Sequence, residues 1–379
     1  MRVFSIVPLG RSSSFFFQGL FGRHPQVATM PCIEYAQEPP KAKGAQEIAH
    51  AEFEGCINYL FDRQCRVPAK FGVDEAEFVS HFCEYIGEFG MCRKNVFLAR
   101  HYAFAKATGQ DVSKIKWVAF AAHDISRLKG LFCDFPNQKT IALARDPRAH
   151  YYSCKKKWPG TSWLLYMLQP QLTLYCVEGI RAKNVLFVRH EDLHCKYEET
   201  IGEVCSFLGI AQDASMQESY FYSAPYTGSF SWGSSSGKSG ATPSPKFVSD
   251  EWKSGLCENE IFLVEALNKG IATRFGYEKS QARLKIGVPR LDLVGKLRGI
   301  SRKAVEQSKS SSRMFSKIRA AFGRVPIVGK GIGEAIVLGI SALVALLGDW
   351  TTLADYVLRS IRFRHFIGKQ GRLEAGGDL

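Results

Sequence analysis

The sequence predicts an α/β fold, a doubly wound, mainly parallel sheet with helices on both faces, followed by a helical C-terminal extension. Short apolar runs have the continuous hydrophobicity of buried parallel strands, and segments with helical patterning separate them, as in successive βαβ units. The predicted strands are Val3–Val7, Ile115–Phe120, Thr140–Ala144 and Val185–Val188. The predicted helices are Glu75–Phe89, Asn95–Thr108, Arg148–Trp158, Ser162–Arg181, Glu198–Leu208 and Glu258–Arg274. In such a sheet, a ligand binds at the carboxyl ends of the strands.

The first predicted strand runs into Gly10-Arg11-Ser12-Ser13-Ser14-Phe15, a turn of guanidinium and hydroxyl groups that opens a helix. In α/β proteins, a turn at this place presents backbone N–H donors to phosphate. A serine run is also a common helix N-cap with side chains that face solvent. Taken alone, the segment is open to both interpretations.

The second predicted strand leads into Ala121-Ala122-His123-Asp124. The imidazole of His123 suits a general base, because its ordinary pKa lies near neutral pH. A lone histidine at a strand end is also commonly a structural hydrogen-bonding group. The residues alone leave both roles open.

The third predicted strand leads into Arg145-Asp146-Pro147-Arg148, and Ser153 stands eight residues after Arg145. Two turns of helix separate Arg145 from Ser153, so that both can face one phosphate. We expect Asp146 to cap the helix or to pair with Arg148, since a carboxylate repels phosphate. A salt bridge that closes the sheet is the alternative role of Arg145. Two such turns suggest two anionic groups on one ligand.

Three segments together resemble the sulfotransferases that use 3′-phosphoadenosine 5′-phosphosulfate (PAPS). They are GRSSSFFFQGLFGRHP over 10–25, FPNQKTIALARDPRAHYYS over 135–153, and NVLFVRHEDLHCKYEETIGEVCSFLG over 184–209. Trp252-Lys253 and Phe275-Gly276-Tyr277 resemble the end of the same family's domain. The resemblance implies a P-loop-like sulfotransferase domain over 1–280 and a basic, partly hydrophobic helical extension over 281–379. The Gly-x-x-x-x-Gly-Lys-Ser/Thr run of an ATP-dependent P-loop enzyme is missing from the sequence.

The resemblance also implies the roles of individual residues. The loop at the 5′-phosphosulfate would consist of Arg11, Ser12, Ser13, Ser14 and Phe15. Arg145 and Ser153 would bind the 3′-phosphate, over which Lys238, Lys246 or Lys253 would close. His123 has the family's spacing, 22 residues before Arg145, for the catalytic base, and Arg11 would stabilise the charge on the departing phosphate. PAPS would be the co-substrate, and no metal is implied.

Three positions depart from the family's pattern. Ser13 stands where Gly is usual, and its Cβ can hinder close backbone approach or a positive φ. Phe15 replaces a hydroxyl residue, whose donor is worth about 1 to 3 kcal/mol to a charged oxygen. Ala121 replaces a lysine, so that Arg127, Lys129 or Arg11 alone would have to take over its charge.

These departures leave two hypotheses. The first is a sulfotransferase that moves a sulfuryl group to a hydroxyl or amine of a carbohydrate or small-molecule acceptor. The second is a catalytically inactive binding protein or membrane-associated scaffold with the same fold. Four aromatic residues can either line an acceptor pocket or belong to the core: Trp158, Trp163, Tyr166 and Tyr175.

The basic character of the chain lies in its C-terminal extension. The formal net charge is +14, and residues 281–379 hold 18 Lys and Arg against 7 Asp and Glu. The basic stretches Leu284–Arg324 and Leu353–Arg372 flank the apolar run Ala335–Gly348, which is short of the ~20 residues of a bilayer span. The extension is expected either to lie on an anionic membrane surface or to pack on the main domain as helices. Without a recognised nucleic-acid module, no nucleic-acid partner is expected.

The cysteines and the N-terminus bear on location. Eleven cysteines are scattered without a CxxC pair, which favours reduced thiols over a disulfide framework or a metal site. The first predicted strand begins at Val3, which leaves no room before it for a signal peptide. We therefore expect a cytoplasmic protein, with peripheral attachment to the cytoplasmic membrane face if the extension binds lipid.

Overall fold

A computed structural model describes residues 1–30, 44–61, 73–158, 163–221, 224–225, 241–283 and 356–367. Its main sheet has five strands, all parallel: β1 Arg2–Pro8, β2 Val27–Thr29, β3 Trp117–Ala121, β4 Lys139–Ala144 and β5 Val185–Arg189. Their order across the sheet is β2-β3-β1-β4-β5. A short antiparallel pair, β6 Tyr220–Phe221 and β7 Ala224–Pro225, lies apart from this sheet.

Helices surround the sheet. In chain order they are α1 Ser14–Gly19, α2 Ala45–Phe61, α3 Glu75–Phe89, α4 Arg93–Ala107, α5 Lys129–Asp134, α6 Pro147–Lys157, α7 Trp163–Val177, α8 His190–Cys195, α9 Tyr197–Leu208, α10 Trp252–Gly255, α11 Glu258–Leu267, α12 Lys269–Phe275, and α13 over 356–367.

The strands are mostly apolar because both faces of the sheet are covered. In β1, Val3 and Val7 belong to a core shared with α2 to α5, α7, α12 and α13. Phe4 and Ile6 point the other way, into a core shared with α1 and α9. This alternation is the period of two expected of a strand. The predicted fold class, a doubly wound parallel sheet with helices on both faces, is confirmed.

The strand order creates a crevice between β1 and β4. These strands are hydrogen-bonded neighbours, with Pro8 opposite Leu143, but the chain leaves them toward opposite edges of the sheet. From β1 it crosses to β2, and from β4 it crosses to β5. Such a topological switch point is where open α/β sheets bind ligands. The two turns singled out in the sequence, after Pro8 and after Ala144, are the walls of this crevice.

The structure has elements that the sequence did not predict, namely α2, α5, α8, α10, β2, β6 and β7, and it divides one predicted helix. The strand β2 was not predicted, because three residues are too few to carry a periodic signal. The helix predicted over Glu258–Arg274 is two helices that meet at Asn268. The buried Asn268 amide donates to the Met167 and Val264 carbonyl oxygens at 2.7 and 2.8 Å. It thereby anchors the break to α7.

The helix α13 lies on the main domain. Its buried face, Tyr356, Ser360, Phe363 and Ile367, has the spacing of one helical stripe. The Phe363 ring meets that of Phe132 at 5.4 Å. The basic stretch Leu353–Arg372 was expected either to lie on a membrane surface or to pack on the main domain. Its described part, residues 356–367, packs on the main domain as a helix. Leu284–Arg324 and Ala335–Gly348 lie outside the described residues, and within the described ranges no helix is long and apolar enough to span a membrane.

Candidate functional site

Three adjacent strands bring the predicted site residues to one edge of the sheet. In the order β3-β1-β4, each strand is hydrogen-bonded to the next. His123 follows β3, the loop Gly10–Ser13 follows β1, and Arg145 follows β4. Since carboxyl ends of parallel strands share one edge, the three segments lie side by side.

The loop after β1 is pressed against a histidine of α6. Gly10 has φ +97°, and a Cβ built there would lie 2.4 Å from the His150 Nδ1 atom. His150 Nδ1 accepts a hydrogen bond from the Arg11 backbone N–H at 2.8 Å, and Nε2 donates to the Tyr166 carbonyl oxygen at 3.0 Å. These partners fix the neutral tautomer with the proton on Nε2. Burial, followed by the charges of Arg145 and Arg11, lowers the pKa of His150 to about 3.

The three loop serines differ in their surroundings. The Ser12 hydroxyl is buried and has no hydrogen-bond partner in the described part of the chain. Ser13 adopts φ 63° and ψ 33°, the left-handed conformation that a Gly would take without strain. The expectation that a Cβ here can forbid positive φ is therefore corrected, since the loop keeps this shape with a Ser. Ser14 opens α1, and its hydroxyl lies 3.1 Å from His123 Nε2.

The side chain of Arg11 turns toward α6. Its Nε donates to the Ser153 hydroxyl at 2.9 Å, and its guanidinium lies over the Trp158 ring at 4.9 Å. Trp158 in turn stacks on Tyr166, with ring centroids 5.5 Å apart. Ser153 was expected to pair with Arg145 across one phosphate. In the structure the Ser153 hydroxyl accepts a hydrogen bond from Arg11, which joins the first turn to the second.

His123 faces the loop with its Nε2 edge. Its ring meets Phe15 edge to face at 5.3 Å, and Phe15 itself is buried in the core. Burial, followed by the charge of Arg11, lowers the pKa of His123 to about 4. The imidazole is therefore neutral near pH 7 and can accept a proton.

The charge of Arg145 lies beside the loop after β1. Its Nη1 donates to the Arg11 carbonyl oxygen at 3.1 Å, and among the described residues it forms no ion pair. The sheet-closing salt bridge is thus not formed in this part of the chain. Burial lowers the pKa of Arg145, the Glu191 carboxylate opposes this effect, and the Arg11 charge adds to it. Asp146 has both roles expected of it, since it caps α6 and pairs with Arg148 at 2.7 Å.

A cavity of about 90 Å³ opens beside Arg145. Val248, Ser249 and Trp252 line it from the segment after the Ser/Gly/Pro-rich stretch. Lys246, two residues before Val248, is exposed, and its ammonium lies over Phe247 at 5.2 Å. Lys253 pairs with Asp250, and Lys238 lies outside the described residues.

The remaining residues named in the sequence analysis lie away from the loop after β1 and from Arg145, or outside the described residues. Ala121 is buried in β3, and the Lys129 ammonium lies over the Phe366 ring of α13 at 5.0 Å. The side chains of Arg127 and Trp163 lie outside the described part. Tyr175 was expected in a pocket or in the core, but it is 39% exposed.

Sequence reasoning missed three histidines at this edge. His150 stands three residues before Ser153, which places both on one face of α6. This spacing, together with the glycine at position 10, is the signal that could have found it. His190 and His194 pack ring to ring at 4.7 Å, and His190 Nδ1 and His194 Nε2 have no partner among the described residues. Burial and the Arg145 charge lower the pKa of His194 to about 4, and they also hold the pKa of His190 well below its ordinary value.

Comparison with known proteins yields similar folds among solved structures. No family model and no curated protein matches the chain. The sulfotransferase domain of the Synechococcus PCC 7002 olefin synthase is 18% identical at a TM-score of 0.45, over 73% of this chain and 95% of that domain. The sulfotransferase domain of the curacin biosynthetic pathway is 12% identical at 0.42, over 74% and 99%. A mouse sulfotransferase complexed with PAP is 11% identical at 0.35, over 73% and 89%. These belong to the class of proteins that the sequence motifs resemble, and the likeness is one of fold alone.

Proposed function

We propose that this chain is a PAPS-dependent sulfotransferase that transfers a sulfuryl group to a hydroxyl or amine of a small-molecule or carbohydrate acceptor. The observation that carries the proposal is the convergence of three strand ends on one crevice. Ser14 reaches His123 at 3.1 Å, and Arg145 reaches the Arg11 carbonyl at 3.1 Å. A base, a hydroxyl-rich loop and a cation without an ion pair among the described residues thus lie within one ligand's length of each other.

The loop and Arg145 have the properties that a ligand with two anionic ends requires. The buried Ser12 hydroxyl lacks a partner among the described groups, and such a group is costly unless a ligand satisfies it. Gly10 and Ser13 both have positive φ, as in backbone nests that bind anions. The Arg145 guanidinium, which lacks an ion pair in the described chain, supports binding of the second anionic end.

Sulfuryl transfer requires few chemical groups. The acceptor oxygen attacks sulfur in line, the bond from sulfur to the bridging phosphate oxygen breaks, and the acceptor proton must leave. His123, neutral near pH 7, would take this proton on Nε2, where Ser14 now lies. Arg11 would stabilise the phosphate oxygen that departs with negative charge. Two anionic groups beside Arg11 would oppose the effect of its charge on His123, so that the imidazole becomes a stronger base when the donor is bound.

The acceptor would approach past the aromatic pair beside Arg11. Trp158 and Tyr166 stack with an interplanar angle of 17°. Flat faces of this kind bind phenols and sugar rings. We further propose, from the sequence, that the protein works in the cytoplasm.

Calorimetry with 3′,5′-adenosine bisphosphate tests binding, and mass-spectrometric detection of sulfated products from a panel of phenols, alcohols and oligosaccharides tests transfer. The variant His123→Asn keeps a polar side chain but loses the base, so it is expected to bind the nucleotide like wild type and to lose transfer by at least about 100-fold. No nucleotide binding by the intact protein would overturn the proposal. Full transfer by His123→Asn would remove His123 from the chemistry.

A catalytically inactive binding protein is the second candidate, favoured by one observation. The family's lysine is replaced by the buried Ala121, and Lys129 contacts Phe366 rather than the loop after β1. Nucleotide binding with no transfer to any acceptor would favour this candidate. Transfer to any acceptor would exclude it.

A further inference from the structure

The helix α13 forms an ion pair with the loop that carries His123. Arg359 Nη1 donates to Asp124 Oδ2, and the two side chains are only 26% and 21% exposed. Asp124 Oδ1 accepts from the Ser126 backbone N–H at 3.1 Å and also from its hydroxyl. The carboxylate of Asp124 therefore joins the short 3₁₀ turn Ile125–Arg127 to Arg359.

His123 stands between two residues that are held in place. On one side, the Ala122 N–H donates to the Ile6 carbonyl oxygen of β1 at 2.8 Å. On the other side, Asp124 is held by Ser126 and Arg359. The backbone on both sides sets where the imidazole can lie. Loosening either side would move Nε2 relative to the loop after β1.

The helix α13 is also attached by contacts other than the ion pair between Arg359 and Asp124. The Tyr356 hydroxyl lies 3.1 Å from the Thr173 hydroxyl, and Arg364 Nη1 donates to the Tyr175 carbonyl oxygen at 2.7 Å. The buried Phe363 packs on Phe132. Because these contacts remain, loss of the Arg359 guanidinium is expected to leave the helix docked. A methionine there keeps most of the apolar stem.

We propose that Arg359 is a positioning residue, which acts through Asp124 to hold His123 at the loop after β1. The inference rests on the proposed function, because only a reacting base needs such precise placement. It gives the C-terminal extension, which lies outside the stretch that resembles sulfotransferases, a role at the site. A misplacement of about 1 Å can cost a reaction about 100-fold in rate.

Steady-state kinetics on the full-length chain provide the first test. Arg359→Met is expected to lower kcat about 10- to 100-fold, with KM for PAPS changed less than about twofold. Arg359→Lys restores part of the loss, because it keeps the charge. The control is Arg362→Met, an exposed arginine of the same helix, which should behave like wild type. In the Asp124→Asn background, Arg359→Met should cause no further loss, and losses that multiply would overturn the inference.

Nitrogen NMR of the His123 imidazole provides a test that needs no turnover. The pKa of His123 is about 4 in the wild type, because the ring is buried beside Arg11. In Arg359→Met it is expected to move by at least about one unit toward 6.5, while Arg362→Met leaves it unchanged. An unchanged titration in Arg359→Met, with the fold intact, would refute the link. If the wild type transfers no sulfuryl group, the proposed function fails, and this measurement still decides the inference about Arg359.

Discussion

Substitution of Arg145 by Met separates ligand binding from folding. The Arg145 guanidinium has a single hydrogen bond, to a backbone carbonyl, and no ion pair in the described chain. If it binds an anionic group of the ligand, the variant loses a charge-assisted contact worth about 1.5 to 3 kcal/mol. The Kd for 3′,5′-adenosine bisphosphate should then rise about 10- to 150-fold. The loss should shrink in high salt, since screening weakens the wild-type contact.

The same substitution should not weaken the fold. Burial lowers the pKa of Arg145, so its charge opposes folding in the free protein. Arg145→Met is therefore expected to unfold in urea with a free energy equal to or above that of wild type. The nucleotide Kd, from calorimetry, and the free energy of unfolding, from urea titration, are measured on the same samples. Lys114→Met is the control. Lys114 precedes β3, at the opposite edge of the sheet, and is exposed.

Two outcomes would refute this reasoning about Arg145. Unchanged nucleotide affinity would remove the residue from the site. A free energy of unfolding lower by more than about 1 kcal/mol would indicate a structural cation instead. Equal losses of affinity in Arg145→Met and Lys114→Met would mean that net charge, rather than a local contact, attracts the ligand.

Three further predictions concern the loop and the buried histidines. Ser13→Gly relieves the strain of φ 63° and should raise the free energy of unfolding by about 0.5 to 1 kcal/mol after the entropy cost of glycine; a lower value in urea unfolding would contradict this. Gly10→Ala places a Cβ 2.4 Å from His150 Nδ1 and should lower that free energy by about 2 kcal/mol or more, whereas wild-type stability would show that the contact can relax. Burial lowers the pKa of His101 and His150 to about 3, so the unfolded chain binds protons that the folded chain does not. The free energy of unfolding should thus fall as the pH drops from 6.5 toward 3, by up to about 1.4 kcal/mol per pH unit for each imidazole. In His101→Leu, the free energy of unfolding should fall less steeply with decreasing pH than in wild type. An equal slope would refute the contribution assigned to His101.

The sheet could be predicted from sequence because its strands are buried on both faces. Val3–Val7 and Thr140–Ala144 are continuous apolar runs, and the structure extends each by one or two residues only. The three residues of β2 carry no such signal, and its pairing with β3 depends on contacts distant in sequence. Strand order, and with it the crevice between β1 and β4, is likewise a property of the packed sheet.

Part of the candidate site could also be predicted from the sequence. Segments at strand ends identified the loop after β1, His123 and Arg145. Spacing along one helix could not reveal that Ser153 bonds to Arg11, because the partner comes from a residue more than a hundred positions away in the sequence. The amphipathic pattern of α13 was equally ambiguous. A protein surface and a bilayer surface both select one apolar stripe, and only the packing of Phe363 on Phe132 distinguishes them.

The physical case for a ligand site rests on where this fold departs from ordinary packing. Two buried arginines elsewhere in the described chain have carboxylate partners: Arg148 pairs with Asp146 and Glu265, and Arg100 pairs with Glu52. Arg145 has none in the same part of the chain. The partnerless Ser12 hydroxyl and the only non-glycine residue with positive φ among the described residues lie in the facing loop. Each departure costs stability, and departures that converge on one crevice are typical of a functional site. An anion with two charged ends would accept a hydrogen bond from the Ser12 hydroxyl and pair with the charge of Arg145.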